Sequence, residues 1–215
     1  RRCYDDDRVE WFESEVLPAV EETGQWRGEA AGTRHDGTTF PQALSLTSLD
    51  DGGLICIVRD ISDQKRQERA LSMLHDATQK LIVLRDAQSV ADAAVEAART
   101  ALDRPLSALW LYDDEADRLT PAAISDEGRE LIGDPPTYTG DGSLSWRSFQ
   151  EGELRVYDDF ESGPEPLNAE TPIRSEIIVP LGEYGVLNLG STEPEDFTSV
   201  DVSLARTLGK TVEAA

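Results

Sequence analysis

Two dense apolar runs, Glu176-Ile177-Ile178-Val179-Pro180-Leu181 and Gly185-Val186-Leu187-Asn188-Leu189-Gly190, are joined by a turn at Glu183-Tyr184-Gly185. Runs this apolar on so short a connection read as central strands of a sheet. The helices around them set the fold class. Ala91, Ala94, Val95, Ala98, Ala101 and Leu102 form the small-residue face of a helix beginning at Ser89, with Asp92 as an approximate capping box and Pro105 past its end. Thr198 and Asp201 cap a last helix with the stripe Val202, Ala205, Leu208 and Val212. Helices at both ends of a mainly antiparallel sheet make the C-terminal part an α+β fold.

Between these helices the pattern is strand, turn, strand. Residues 107–112 form a strand containing Trp110, residues 113–117 the turn and residues 119–124 the return. Residues 126–141, with three Gly and two Pro, are expected as a long loop, followed by a short helix holding Leu144, Trp146 and Phe149. Residues 154–157 give a brief strand and residues 161–171 a second, acidic loop.

The N-terminal part has its own order. Residues 7–23 read as a helix through Val9, Trp11, Phe12, Val16, Leu17 and Val20, with Pro18 inside the pattern to kink or end it. Three antiparallel strands follow, turning at Asp36-Gly37 and at Asp51-Gly52-Gly53, and the last is Leu54-Ile55-Cys56-Ile57-Val58. Residues 62–84 have no Gly or Pro and form a connector helix. Its seam of Gln67, Ala70, Leu74, Ala77, Leu81 and Leu84 reads either as a short coiled coil or as packing on the domain that follows. His75 in this helix reads as a structural, not a phospho-accepting, histidine, because no ATP-binding motif occurs in the chain.

Charge separates these parts. The 215 residues carry a net −23, distributed as −7 over residues 1–60, zero over 61–104 and −16 over 105–215. An anion this strong is repelled by phosphate backbones and anionic lipid, so no direct nucleic-acid or membrane contact is expected. The neutral connector is the natural dimer contact. With 17 Arg to 3 Lys, 22 Asp and 21 Glu, the composition resembles that of cytosolic proteins of extreme halophiles; an acidic mesophile protein is the alternative. No apolar stretch approaches the ~20 residues that span a bilayer, and the expected location is the cytoplasm. Met73 is the only methionine, so the sequence reads as a segment of a longer polypeptide.

Two families are resembled. Gly24-Gln25-Trp26-Arg27-Gly28-Glu29, Arg34-His35-Asp36-Gly37-Thr38-Thr39-Phe40 and Arg59-Asp60-Ile61-Ser62-Asp63 resemble the second half of a PAS domain, assigning residues 1–61 to a partial PAS-like domain. The resemblance implies that the strand normally beside Leu54-Ile55-Cys56-Ile57-Val58 is missing. That leaves an apolar edge expected either to pair with another chain or to accompany disorder of residues 1–60. Val179-Pro180-Leu181-Gly182-Glu183-Tyr184-Gly185-Val186-Leu187-Asn188-Leu189, followed by Phe197-Thr198-Ser199-Val200-Asp201, resembles a GAF domain over residues 71–215. Gly142-Ser143-Leu144-Ser145-Trp146-Arg147-Ser148-Phe149 with Val156-Tyr157-Asp158-Asp159 resembles the GAF domains of haloarchaeal bacterio-opsin-activator-like regulators.

The GAF resemblance implies a small-molecule pocket between the sheet and the loop-and-helix layer, with Trp110, Tyr138, Trp146, Phe149 and Asn188 facing it. No Cys follows Cys56, which argues against a bilin, and the cyclic-nucleotide signature of GAF domains is absent. The ligand is otherwise open. Catalysis is not expected: the two histidines, His35 and His75, lie in different regions, and no phosphate loop, nucleophile elbow or metal site is legible. The expected function is a sensory segment coupled through helices to an output domain, either a bacterio-opsin-activator-like transcription regulator or a histidine kinase. A GAF fold used only as a dimerisation scaffold is the third reading. The expected assembly is a homodimer through the connector and GAF helices, with the 54–58 edge as a further contact.

Overall fold

The computed structural model describes residues 10–81, 83–161 and 171–215. The chain divides into two compact units, Arg1–Glu68 and Arg69–Ala215. In the first, a π-helical turn over Phe12–Val16 runs into α1 (Leu17–Thr23). Pro18 neither ends nor breaks this helix. It lacks an N–H and its ring crowds the carbonyl four residues back, and the wider turn immediately before it makes the room. The expected start of the helix at residues 7–9 lies outside the described residues.

β1 (Gln25–Thr33), β2 (Thr39–Ser48) and β3 (Leu54–Asp60) form an antiparallel sheet in that order. Val16 and Val20 pack on Leu44 and Leu46, with Trp11 edge-on to Trp26 at 5.6 Å. That core covers β2 and leaves β3 bare: Leu54, Ile55, Ile57 and Val58 are 45 to 62% exposed. After β3, the Asp60 carboxylate accepts from the backbone N–H (2.9 Å) and hydroxyl (2.6 Å) of Ser62, starting α2 (Ser62–Leu81). Those bonds, with the Arg34 guanidinium, hold Asp60 well below the usual carboxylate range.

The second unit contains a five-stranded antiparallel sheet in the order β5-β4-β8-β7-β6. Its strands are β4 (Leu106–Asp113), β5 (Arg118–Ile124), β6 (Arg155–Tyr157), β7 (Ser175–Pro180) and β8 (Gly185–Ser191). Strand alternation gives the sheet two apolar faces. Leu109, Ile177, Val179, Leu187 and Leu189 face one core together with residues of α2, α3 (Ala87–Ala101) and α6 (Ser199–Glu213). Ala108, Trp110, Ile178 and Val186 face the other, beneath α5 (Leu144–Glu151).

The α2 seam is used inside the unit: Ala70, Leu74 and Leu81 are buried in the first core, and Ala77 and Leu84 pack against it. Within one chain these seam residues pack on the following domain. His75 is on the exposed side of α2. The helix expected from Ser89, with Asp92 completing its capping box, starts two residues earlier, because Asp86 is its cap: the Asp86 carboxylate accepts from the Ser89 N–H (2.8 Å) and hydroxyl (2.7 Å). Thr198 and Asp201 form the reciprocal capping box read from the sequence. Arg104 ties the end of α3 to this cap through Asp196 (2.6 Å) and Asp201 (2.9 Å), with its guanidinium over the Phe197 ring. At Gly209, α6 lies so close to β7 that a Cβ would stand 2.4 Å from Val179 Cγ1.

The stretch 126–141 is not one long loop. It opens with α4 (Asp126–Ile132), because Ser125 in extended conformation accepts from Gly128 N–H at 3.1 Å and two acids occupy the first turn. The second expected loop lies mostly within residues 162–170, outside the described residues. Among the described residues no helix is long and apolar enough to cross a membrane.

Candidate functional site

The second face of the sheet holds a cleft under α4. Its floor is small: Ala108 on β4 pairs with Asn188 on β8, and Gly190 pairs with Leu106. Trp110 and Glu176 line it from the sheet, Leu131 and Ile132 from α4, and Ile173 from the approach to β7. The volume is about 50 Å³, enough for a ligand head group rather than a whole drug-sized molecule. Leu131 and Ile132 remain 38% and 37% exposed.

Local chemistry explains how the walls are held. Buried Ser125 accepts from the Ser107 N–H at 3.2 Å, and its own N–H donates to the Ser107 carbonyl at 2.9 Å, so the start of α4 is tied to β4. Gly133 and Pro135-Pro136 end α4, and Tyr138 then pairs with Leu119 through two 2.9 Å backbone bonds. This returning segment fixes Trp110: its indole N–H donates to the Pro136 carbonyl at 2.8 Å, and its ring lies 5.0 Å from that of Tyr138.

The polar part of the cleft is a buried cluster. The Asn188 amide donates to Ser145 Oγ at 2.8 Å and to Glu176 Oε1 at 2.9 Å. Asn188 is 5% exposed, and its Oδ1 has no partner among the described residues. With Glu176 ionised, exchanging the amide oxygen and nitrogen would set Oδ1 against its carboxylate, which favours this orientation. Glu176 as a residue is only half-buried because it lines the cleft, but its carboxyl lies among apolar walls. Burial raises its pKa to about 7, against a weaker pull downward from the Asn188 amide. Tyr138 is raised by burial and then by the Glu176 charge, with Ser145 pulling the other way, so its hydroxyl stays protonated.

The five pocket residues expected from the sequence fall into two groups. Trp110 and Asn188 line the cleft, and Tyr138 packs behind Trp110. Trp146 and Phe149 do not line it. They pack with Tyr112, whose ring is 4.7 Å from Phe149 and 6.2 Å from Trp146. Glu176, Ser145 and the underside of α4 are functional-site features absent from the sequence reading. A wider groove of about 430 Å³ between α3 and α4 is lined by Asp92, Glu96, Asp126 and Glu127. It is open surface, and its Arg99 is already paired with Glu96 at 2.7 Å. Among the described residues no group of His, Cys, Asp and Glu is placed to hold a metal ion.

The family model of the GAF domain matches residues 85–215, which include the sheet and every residue lining the cleft. The chain belongs to the GAF family. GAF domains are small-molecule sensing and regulatory domains of signalling proteins. Among solved structures, a free methionine-R-sulfoxide reductase from Neisseria meningitidis, in complex with its substrate, is 19% identical with a TM-score of 0.60; the match covers 69% of this chain and 89% of that one. The GAF domain of an Acinetobacter phosphoenolpyruvate-protein phosphotransferase is 18% identical with a TM-score of 0.56, covering 67% and 90%. Residues 122 to 287 of a methyl-accepting chemotaxis protein are 15% identical with a TM-score of 0.53, covering 66% and 94%. At these identities the likeness is one of fold. No curated protein matches the chain.

Proposed function

We propose that residues 85–215 are a ligand-sensing GAF domain whose cleft beneath α4 binds a small molecule and signals through the helices on the opposite face of the sheet. The observation that carries this is the buried Asn188 Oδ1, without a partner among the described residues, on a residue that lines a cavity between small floor residues. A buried acceptor without a donor costs roughly 1–3 kcal/mol, which a ligand donor removes. Asn188 alternates along β8 with Leu187 and Leu189, which face the core shared with α3 and α6. A shift of β8 on binding therefore reaches those helices. The domain binds rather than turns over its ligand: with no Cys after residue 56, it has no thiol to supply electrons for reductase chemistry. Coupling to an output domain of the bacterio-opsin-activator type is supported by the motif of residues 142–159; a histidine kinase output is the alternative.

Mass spectrometry of material released from natively purified protein should identify the ligand. Returned to the protein, it should perturb the NMR signals of the Trp110 indole and Asn188 amide, and Ala108→Leu should weaken its binding at least about tenfold by filling the floor. Absence of any released ligand, together with a more stable Ala108→Leu variant, would make the domain a scaffold.

Assembly is proposed on a separate observation. The outer edge of β3, with Leu54, Ile55, Ile57 and Val58 exposed, is suited to antiparallel pairing with the β3 of a second copy. Ile57→Lys should then shift sedimentation from dimer toward monomer, at least about tenfold in dissociation constant; an unchanged dimer would remove β3 from the interface.

A further inference from the structure

Resting on the sensory reading above, we propose that the cleft takes a small organic cation, an alkylammonium-type head whose N–H groups bond to Asn188 Oδ1 and the Glu176 carboxylate. The cleft is rich in acceptors and its donors are spent. Both Asn188 amide hydrogens are used, on Ser145 and Glu176. The Trp110 N–H is used on the Pro136 carbonyl, and the Ser107 hydroxyl points to the Val95 carbonyl. Two acceptors are left: Asn188 Oδ1, and Glu176 Oε2, which makes no hydrogen bond among the described residues.

The charges agree with the hydrogen bonds. None of the lining residues is Lys, Arg or His, and Glu176 is the one carboxylate among them. An anionic ligand would meet a carboxylate and an amide oxygen with no donor to bind it. A neutral ligand with one hydroxyl could satisfy one acceptor and leave the other. An ammonium supplies three donors and the opposite charge. The cavity of about 50 Å³ fits the head and the first carbons. The half-exposed Leu131 and Ile132 offer apolar surface to the chain that follows. The excess of carboxylates over the whole protein also concentrates cations at its surface.

The test uses n-propylammonium, n-propanol and propionate as probes of equal length on the 215-residue chain, read by NMR at the Trp110 indole and Asn188 amide. The expected result is saturable shifts with propylammonium at roughly millimolar concentration, at least about tenfold weaker binding of propanol and none of propionate. Glu176→Gln should weaken propylammonium about tenfold or more while leaving the fold intact. Propanol or propionate binding the cleft as well as propylammonium would overturn the cation and leave the sensory cleft standing. The same holds if no probe binds while the ligand released from the native protein does. Shifts confined to surface carboxylates would also overturn the proposal. A cleft that binds neither the probes nor any released ligand would overturn the sensory reading with it.

Discussion

Replacing Glu176 by Gln should stabilise the GAF domain by on the order of 2 to 3 kcal/mol at about pH 8 and by little at about pH 4. The sign follows from the direction of the shift. Burial raises the folded-state pKa of Glu176 from 4.5 to about 7. Folding therefore binds a proton between those values, and the group's favourable contribution is complete below about pH 4.5. It falls as pH rises and is gone above about 7, where the carboxylate is charged in both states and the folded protein bears the cost of burying it. Gln keeps an acceptor for the Asn188 amide and carries no charge. Other carboxylates act oppositely: Asp60, Asp86 and Asp201 are held low by hydrogen bonds, so their contributions are lost toward acid pH. Comparing variant with parent at each pH cancels those terms. Tyr138, which packs behind Trp110 on this face, is held protonated by burial and contributes nothing to the pH dependence in this range. Urea unfolding at several pH values measures the difference; a gap independent of pH would mean that Glu176 is well solvated.

The same residue shows what the sequence could and could not disclose. Asn188 was reached through the GAF resemblance of residues 179–189, which implied a pocket on this side of the sheet. Glu176 was not, since one carboxylate among 43 carries no signal until the pairing of β7 between β6 and β8 buries it. The sheet hairpin, the terminal helices and their Thr198-Asp201 box were local patterns, and local patterns survive folding. The helix α4 was hidden by Gly128 and Gly133, which lower helix propensity. Ser125 followed by Asp126 and Glu127 was the overlooked start signal. Trp146 and Phe149 were correctly placed on a helix over the sheet, but sequence does not report which end of that layer stays open. The aromatic end is closed by Tyr112, and the open end lies over Ala108 and Gly190. Small residues made the cleft, and a search for large aromatic contacts passes over them.

Gly185→Ala should cost at least about 3 kcal/mol and disturb the cleft from a distance. Gly185 opens β8 opposite Leu111, with φ at +155°. A Cβ there would stand 1.9 Å from the Trp110 carbonyl oxygen and 3.1 Å from Leu111 Cα, both backbone atoms of the paired strand. No side-chain rotation relieves such a contact, so β4 and β8 must part. The bonds at stake are adjacent: Tyr112 N–H to the Tyr184 carbonyl at 2.8 Å and Leu181 N–H to the Gly185 carbonyl at 2.9 Å. Since Trp110 lies on one of these strands and Asn188 on the other, their separation also pulls apart the floor of the cleft. Gly152→Ala separates the two causes of damage. Gly152 has φ at +65° with nothing within 4 Å of its Cβ position, so that variant bears backbone strain alone, about 1 kcal/mol. Urea unfolding should rank Gly185→Ala well below Gly152→Ala. The NMR signals of the Trp110 indole and Asn188 amide should move only in the former. Equal losses in the two variants would show that β4 and β8 yield to a methyl group, and that the close contact at Gly185 does not hold the cleft in register.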